Sequence, residues 1–186
     1  MKLNAKQLRV RRPTQGELRK IERKPIYLVL DDVLDTYNIG SLLRLADAVA
    51  AKGVILCGQT ERPPSSRIHK AAVGTEEWVP WQYFADAKSA ISSLKSQIPN
   101  LKTIAVEQDP RAVSLFSLNT SPPTPLLNLG EGSNIVLVVG HETEGVSKEV
   151  LDMADVIVEI PMYGINKSLN VHVAAAVVVY KLLELL

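Results

Sequence analysis

The densest run of chemically capable residues in this 186-residue chain is Gly140-His141-Glu142-Thr143-Glu144-Gly145-Val146-Ser147. Its two glycines stand at the spacing of a phosphate-binding loop, but Val146 occupies the place where such a loop needs its lysine. Two carboxylates inside the turn would also repel a triphosphate, which argues against nucleotide hydrolysis. What remains is a glycine-flanked turn that follows an apolar, β-branched run, Asn134 to Val139. Open α/β sheets bind ligands there, beyond the carboxyl ends of their strands, and a carboxylate at that point suits a cationic or hydroxyl-bearing ligand.

Other chemistries lack their residues. No G-x-G-x-x-G follows a strand, no G-x-S-x-G is present, and His141-Glu142 lacks the second histidine of H-E-x-x-H. His69, His141 and His172 lie far apart and there is one cysteine, so no metal-ligand cluster is expected and no metal is assigned. Cys57 closes the apolar run Val54 to Cys57 and reads as inert strand packing. Alone it cannot form an internal disulfide, in keeping with a reducing, cytoplasmic setting.

Charge is unevenly placed. Residues 1 to 24 hold nine Lys or Arg against Glu17 and Glu22, a segment of +7, and because the whole chain is +1 the remainder is −6. A basic arm on a mildly acidic body suits a polyanion, since cations that neutralise phosphates release condensed counterions. Arg9, Arg11 and Arg12 of the arm, with Arg62, Arg67 and Lys70 beyond the second expected strand, are the candidate contacts to its phosphates. Few Trp and Phe are present, so extensive base stacking is not indicated.

The elements that must position these groups follow from pattern. Thr14-Gln15-Gly16-Glu17 has capping-box spacing and opens a short helix to about Ile21. Ile26 to Leu30 reads as a buried strand, and apolar residues at helical spacing from Ile39 to Lys52 give a helix that Gly53 could close in a left-handed conformation. Val54 to Cys57 is the next strand, completing a parallel βαβ unit. A helix over Ser65 to Val73, a strand over Trp78 to Phe84, a helix from Asp86 to Ile98 and a strand from Thr103 to Val106 follow. Residues 119 to 133 are too rich in proline for regular structure. Beyond Asn134 to Val139 come a helix from Ser147 to Met153 capped by Ser147, a strand from Val156 to Ile160, a loop from Pro161 to Lys167, and an apolar helix from Leu169 to Leu186. With 46% apolar residues, the expectation is a basic arm with a short helix over 1–24 and one α/β domain over 25–186. Its mostly parallel sheet is flanked by helices. No apolar run long enough to cross a membrane is present, and the apolar last helix is expected to meet a partner subunit in part.

Three stretches, in order, carry a resemblance: Asn38-Ile39-Gly40-Ser41-Leu42-Leu43-Arg44 through Gly53, Val138 to Ser147 continuing to Ile160-Pro161-Met162, and Ser168-Leu169-Asn170 through Ala176. Together they resemble the SpoU or TrmH family of SPOUT RNA methyltransferases. The resemblance implies a deep C-terminal trefoil knot, a homodimer, S-adenosyl-L-methionine as cofactor, and methyl transfer to a ribose 2′-hydroxyl of tRNA or rRNA, with tRNA favoured. Backbone groups around Gly140, Ile160, Met162 and Leu169 would hold the adenine and ribose. Arg44, Asn38, Glu142, Ser168 and Asn170 match the family's catalytic positions. Because a guanidinium keeps its proton far above neutral pH, Arg44 is read as gripping the phosphate beside the target ribose, not as a base. Glu142 would orient loop residues or the partner's arginine. His172 stands where relatives often have serine, and helix geometry is expected to point it away from Asn170, so that at most a packing contact or a local RNA contact depends on it. The competing reading is a catalytically inactive RNA-binding module of the same fold.

Overall fold

The computed structural model describes residues 5–8, 11–119 and 132–186. Its strands are β1 (Lys24–Asp31), β2 (Ala51–Cys57), β3 (Trp81–Phe84), β4 (Leu101–Val106), β5 (Val113–Ser114), β6 (Asn134–Gly140) and β7 (Val156–Glu159). Its helices are α1 (Ala5–Leu8), α2 (Gln15–Leu18), α3 (Thr36–Ala48), α4 (Ser66–Ala72), α5 (Ala87–Gln97), α6 (Lys148–Met153) and α7 (Val171–Leu185). The strands form one seven-stranded sheet in the order β3-β2-β1-β6-β4-β7-β5, with every pairing parallel. The chain builds β1, β2 and β3 outward in one direction, then crosses to the other half. Such a reversal of strand order opens a crevice at the strands' carboxyl ends.

Continuous apolar runs form the central strands because both faces of the sheet are covered. Alternation along β1 and β6 splits the interior into two cores. Leu28, Leu30, Ile135, Leu137 and Val139 pack with residues of α3, α4 and α7, while Val29, Val136 and Val138 pack with residues of α5 and α6. Helix α3 lies very close to α4: a Cβ added at Gly40 would stand 2.6 Å from Ala71 Cβ and 2.7 Å from the Ile68 carbonyl oxygen. Cys57 is fully buried, and that burial, with the charges of Asp31, Asp86 and Asp32 nearby, pushes its thiol up to about 12. It is an inert packing group. Among the described residues, no helix is long and apolar enough to cross a membrane.

Several boundaries differ from expectation. Helix α3 runs from Thr36 to Ala48, opened by Asp35, whose carboxylate accepts from the Tyr37 N–H at 2.8 Å. It stops short of Lys52 because Ala51 must already pair with Lys24 in the sheet, and the Ala50 carbonyl accepts the Lys24 N–H at 2.8 Å. Ala50 (φ 51°) makes the left-handed reversal, and Gly53 lies inside β2. The strand expected from Trp78 begins only at Trp81, after a 3₁₀ turn over Thr75–Glu77. Trp78 instead sends its indole N–H to Asp47 at the end of α3, 2.7 Å away.

The arm is partly described. The Thr14 capping box forms, with the Glu17 carboxylate accepting from the Thr14 N–H at 2.8 Å. The two ends of the Pro-rich stretch, residues 119 and 132–133, are described, and the rest of that expected loop lies outside the described residues.

Candidate active site

Strands β4, β6 and β7 end at a cleft of about 510 Å³, within the range of small-molecule sites. The turn after β6 forms its floor. There the chain doubles back, and His141 and Gly145 exchange two backbone hydrogen bonds of 3.0 and 2.9 Å. A Cβ on Gly140 would stand 2.2 Å from the Gly145 carbonyl group, so glycine is needed first for the chain's contact with itself. Gly145 (φ 74°) sits where a side chain would collide with the Glu107 carboxylate.

Two carboxylates brace this turn from other strands. Glu107, just past β4, accepts the Val146 N–H at 2.8 Å and the Gln108 N–H at 2.8 Å. Asp31, at the end of β1 and 4% exposed, accepts the Ser147 N–H at 2.9 Å. Ser147 makes no side-chain cap on α6, contrary to expectation; its contribution is the backbone N–H that Asp31 accepts. Neither Glu107 nor Asp31 was singled out from sequence; an acidic residue ending an apolar strand run was the available signal.

Glu142 is the most connected group at the rim. Its Oε1 accepts from the Asp35 N–H at 3.0 Å and from the Asn38 side-chain amide at 2.8 Å, and its Oε2 accepts from the Leu34 N–H at 3.1 Å. Partial burial pushes this carboxyl up, but the donations from Asn38, Asp35 and Leu34 outweigh it and hold the group below the usual carboxylate range. Glu142 thus orients the loop between β1 and α3.

The opposite wall comes from the segment leading into α7. Asn170 caps that helix, its Oδ1 accepting from the His172 N–H at 3.0 Å. The cleft is lined by Gly140, Ile160, Met162 and Leu169, all four expected cofactor contacts, and by Glu142, Ser168 and Asn170. Asn38 is buried one hydrogen bond behind Glu142. Arg44 is not part of the lining: it is exposed on α3 and has no hydrogen-bond or ion-pair partner among the described residues.

Of the expected RNA contacts, Arg9 lies outside the described residues. Arg11 is held by both oxygens of Glu17 at 2.9 Å, and Arg12 by both oxygens of Glu77 at 2.6 Å. Arg62 lies over the Tyr83 ring, 4.2 Å from its centroid. Arg67 and Lys70 are exposed on α4 without partners in the described residues. The fold also brings His69 beside Glu76 and Glu77, a grouping not expected from sequence, with Glu76 engaged by His69 and Glu77 by Arg12.

The expectation for His172 is overturned. Its Nδ1 lies 3.1 Å from Asn38 Oδ1, and its ring meets Tyr37 edge-on, with centroids 5.8 Å apart. The angular argument assumed that residues 170 and 172 share one helix, whereas Asn170 is the cap that precedes it.

The donor set fits S-adenosyl-L-methionine. Glu107, Glu142 and Glu144 line the cleft with negative charge that suits a cationic ligand, Lys167 can meet a carboxylate, and backbone at Gly140, Ile160, Met162 and Leu169 can take the hydrogen bonds of a base and sugar.

The SpoU rRNA Methylase family model matches residues 25–180. A 23S rRNA (guanosine-2'-O-)-methyltransferase of Ralstonia nicotianae is 32% identical over 161 residues, covering 87% of this chain and 59% of the relative. A Bacillus subtilis protein assigned to the TrmH family of tRNA/rRNA methyltransferases is 27% identical over 158 residues, 85% of this chain and 58% of its own length. The crystal structure of an AdoMet-bound rRNA methyltransferase from Sinorhizobium meliloti superposes with a TM-score of 0.73 at 25% identity, covering 91% of this chain and 60% of that one. The chain thus spans less than two thirds of the length of these relatives.

Proposed function

The chain belongs to the SpoU rRNA Methylase family, and from that premise we propose that it is an S-adenosyl-L-methionine-dependent methyltransferase acting on a ribose 2′-hydroxyl of tRNA or rRNA, tRNA being favoured. The observation that carries this reading is the cleft itself. Three backbone segments, at Gly140, at Ile160 and Met162, and at Leu169, converge on it, and its rim carboxylate is tied to Asn38. When bound, the cofactor supplies an electrophilic methyl group.

The protein's own task is to align a ribose oxygen with that group and to keep water away. The turn over 140–147, held by Glu107 and Asp31, gives the cleft a floor that need not reorganise. Glu142 holds the loop entering α3 against the same floor, which fixes where α3 begins. Arg44 then presents a guanidinium fork from α3 to an RNA phosphate, and Ser168 and Asn170 order the far wall. Since Arg44 stands outside its own cleft, we assign it to the cleft of a second copy. Val173, Val177 and Tyr180 lie on one face of α7 and are 39%, 41% and 58% exposed, an apolar stripe suited to a homodimer. The reading includes a trefoil knot in the C-terminal segment, supported by the family match, a basic arm over 1–24 distinct from the domain over 25–186, and a cytoplasmic setting. Arg62, Arg67 and Lys70 remain the proposed phosphate contacts outside the arm.

The test combines calorimetry with S-adenosylhomocysteine and methyl transfer to total RNA from cells lacking the gene, read as 2′-O-methyl marks. Binding and new marks are expected. Val177→Asp is expected to give a monomer by light scattering that has lost methyl transfer; a fully active monomer would refute the shared site.

A further inference from the structure

We propose that His172 is a positioning residue of this site: as its Nδ1–H tautomer it holds the Asn38 amide in the one orientation that serves Glu142, and thereby sets the rim of the cleft. This inference rests on the methyltransferase reading above and adds a residue to it.

The argument is one of donor and acceptor accounting. An ionised carboxylate can only accept, so Asn38 must turn its Nδ2 toward Glu142, 2.8 Å away. Its Oδ1 is then directed at His172 Nδ1, 3.1 Å away. An acceptor facing that nitrogen requires the nitrogen to carry a proton. Asn38 is 1% exposed, so water has little access to replace the histidine if it is removed, and a buried carbonyl left without a donor is costly.

His172 is itself held at two further points. Its backbone N–H donates to Asn170 Oδ1 at 3.0 Å, and its ring packs edge-on to Tyr37 with planes at 70°. The residue therefore ties three segments together: the start of α7 with its wall of the cleft, the first turn of α3, and through Asn38 the Glu142 rim. Without it, Glu142 alone orients the Asn38 amide, whose buried Oδ1 is left with no donor, so the amide is held from one side only and the rim it supports is loosened. His141 provides an internal contrast, because its Nδ1 accepts from the N–H groups of Thr143 and Glu144 at 3.0 and 3.2 Å. That ring must carry its proton on Nε2.

The chain has three histidines, so protein labelled with [15N]histidine gives a readable long-range proton–nitrogen spectrum. At alkaline pH the expected result is a neutral His172 protonated on Nδ1 and a neutral His141 protonated on Nε2, with His172 assigned by the signals lost in His172→Asn. An Nε2-protonated His172 would overturn the proposal. For methyl transfer to the same total RNA, His172→Ala is expected to lower kcat about tenfold with little change in the KM for cofactor. His172→Asn, whose amide N–H reaches the place of Nδ1, is expected to recover most of the loss. His172→Phe, which keeps a ring against Tyr37, is expected not to. Wild-type rates in all three, or an Asn variant as impaired as Ala, would each overturn the positioning role. Absence of S-adenosylhomocysteine binding by the wild type would sink the methyltransferase reading instead, and the tautomer spectrum would still decide the His172–Asn38 bond.

Discussion

Replacing Glu142 by Gln separates the charge of this side chain from its shape. The carboxylate accepts three hydrogen bonds with two oxygens, and a primary amide has one oxygen and one donor group. The better of its two orientations keeps Oε1 for Asp35 and Asn38 and turns an NH2 group toward the Leu34 N–H, so one acceptor is lost and donor faces donor. A hydrogen bond to a charged group contributes about 1.5–3 kcal/mol. Leu34 is 43% exposed, so water compensates in part, and solvent screening reduces the charge contribution further, leaving about 1–2 kcal/mol. For a chain of this size that is a fall in Tm of about 3–6 °C at pH 7, measured at one protein concentration. The pH dependence supplies the stricter test. Glu142 is held below its ordinary value of 4.5, so the folded state favours the ionised form. Its contribution is complete above that ordinary value and is lost as pH falls through the lowered folded value. Because glutamine does not titrate, the gap between the two proteins should be constant from pH 8 to about pH 5 and then close on further acidification. Urea unfolding at stepped pH reads this directly. A gap that persists undiminished in acid, or none at pH 7, would refute the hydrogen-bond account of the rim.

Two further tests probe the floor of the cleft and the proposed RNA face. Gly140→Ala puts a methyl group 2.2 Å from the Gly145 carbonyl, so it should abolish S-adenosylhomocysteine binding by calorimetry and lower Tm. Gly16→Ala, which meets nothing within 4 Å, should do neither. Reversing both Arg67 and Lys70 to Glu should weaken RNA binding across sequences and reduce the slope of log affinity against log salt by roughly two. Cofactor affinity should stay unchanged, and an unaltered salt slope would remove α4 from the RNA surface.

The parts of this fold legible in the sequence are those governed by local periodicity. The β-branched run at Asn134–Gly140 is a central strand because both its faces are buried, and the cap at Asp86 with the stop before Pro99 places α5 to within a residue. The Thr14 box formed as spaced. What misled was a residue with two uses. Gly53 has the freedom to end a helix, but the register of β2 against β1 requires the chain to have turned by Ala50, and pairing between strands outweighs the small cost of a left-handed alanine. Trp78 has strand propensity, yet its indole N–H is better satisfied by Asp47 across α3 than by a place in the sheet.

The site divides the same way. Gly140, Glu142, Ser168 and Asn170 could be placed at a ligand site because they stand in contiguous motifs at a strand end and a helix start. The groups that hold them there are joined across the chain: Asp31 to Ser147 over 116 residues, Glu107 to Val146 over 39, Asn38 to His172 over 134. No local pattern announces such bonds. They arise because a parallel sheet gathers the carboxyl ends of all its strands on one side, so acidic residues that simply terminate apolar runs find themselves beside the backbone donors of a single turn. The turn after β6 needs acceptors for the Val146 and Ser147 N–H groups, and β1 and β4, on either side of β6, are the two strands whose ends can provide them. The same geometry explains why Arg44 is left over. It lies on the helix that follows β1, exposed and beyond the lining of its own cleft, which is the ground on which its proposed phosphate contact is assigned to the cleft of another copy.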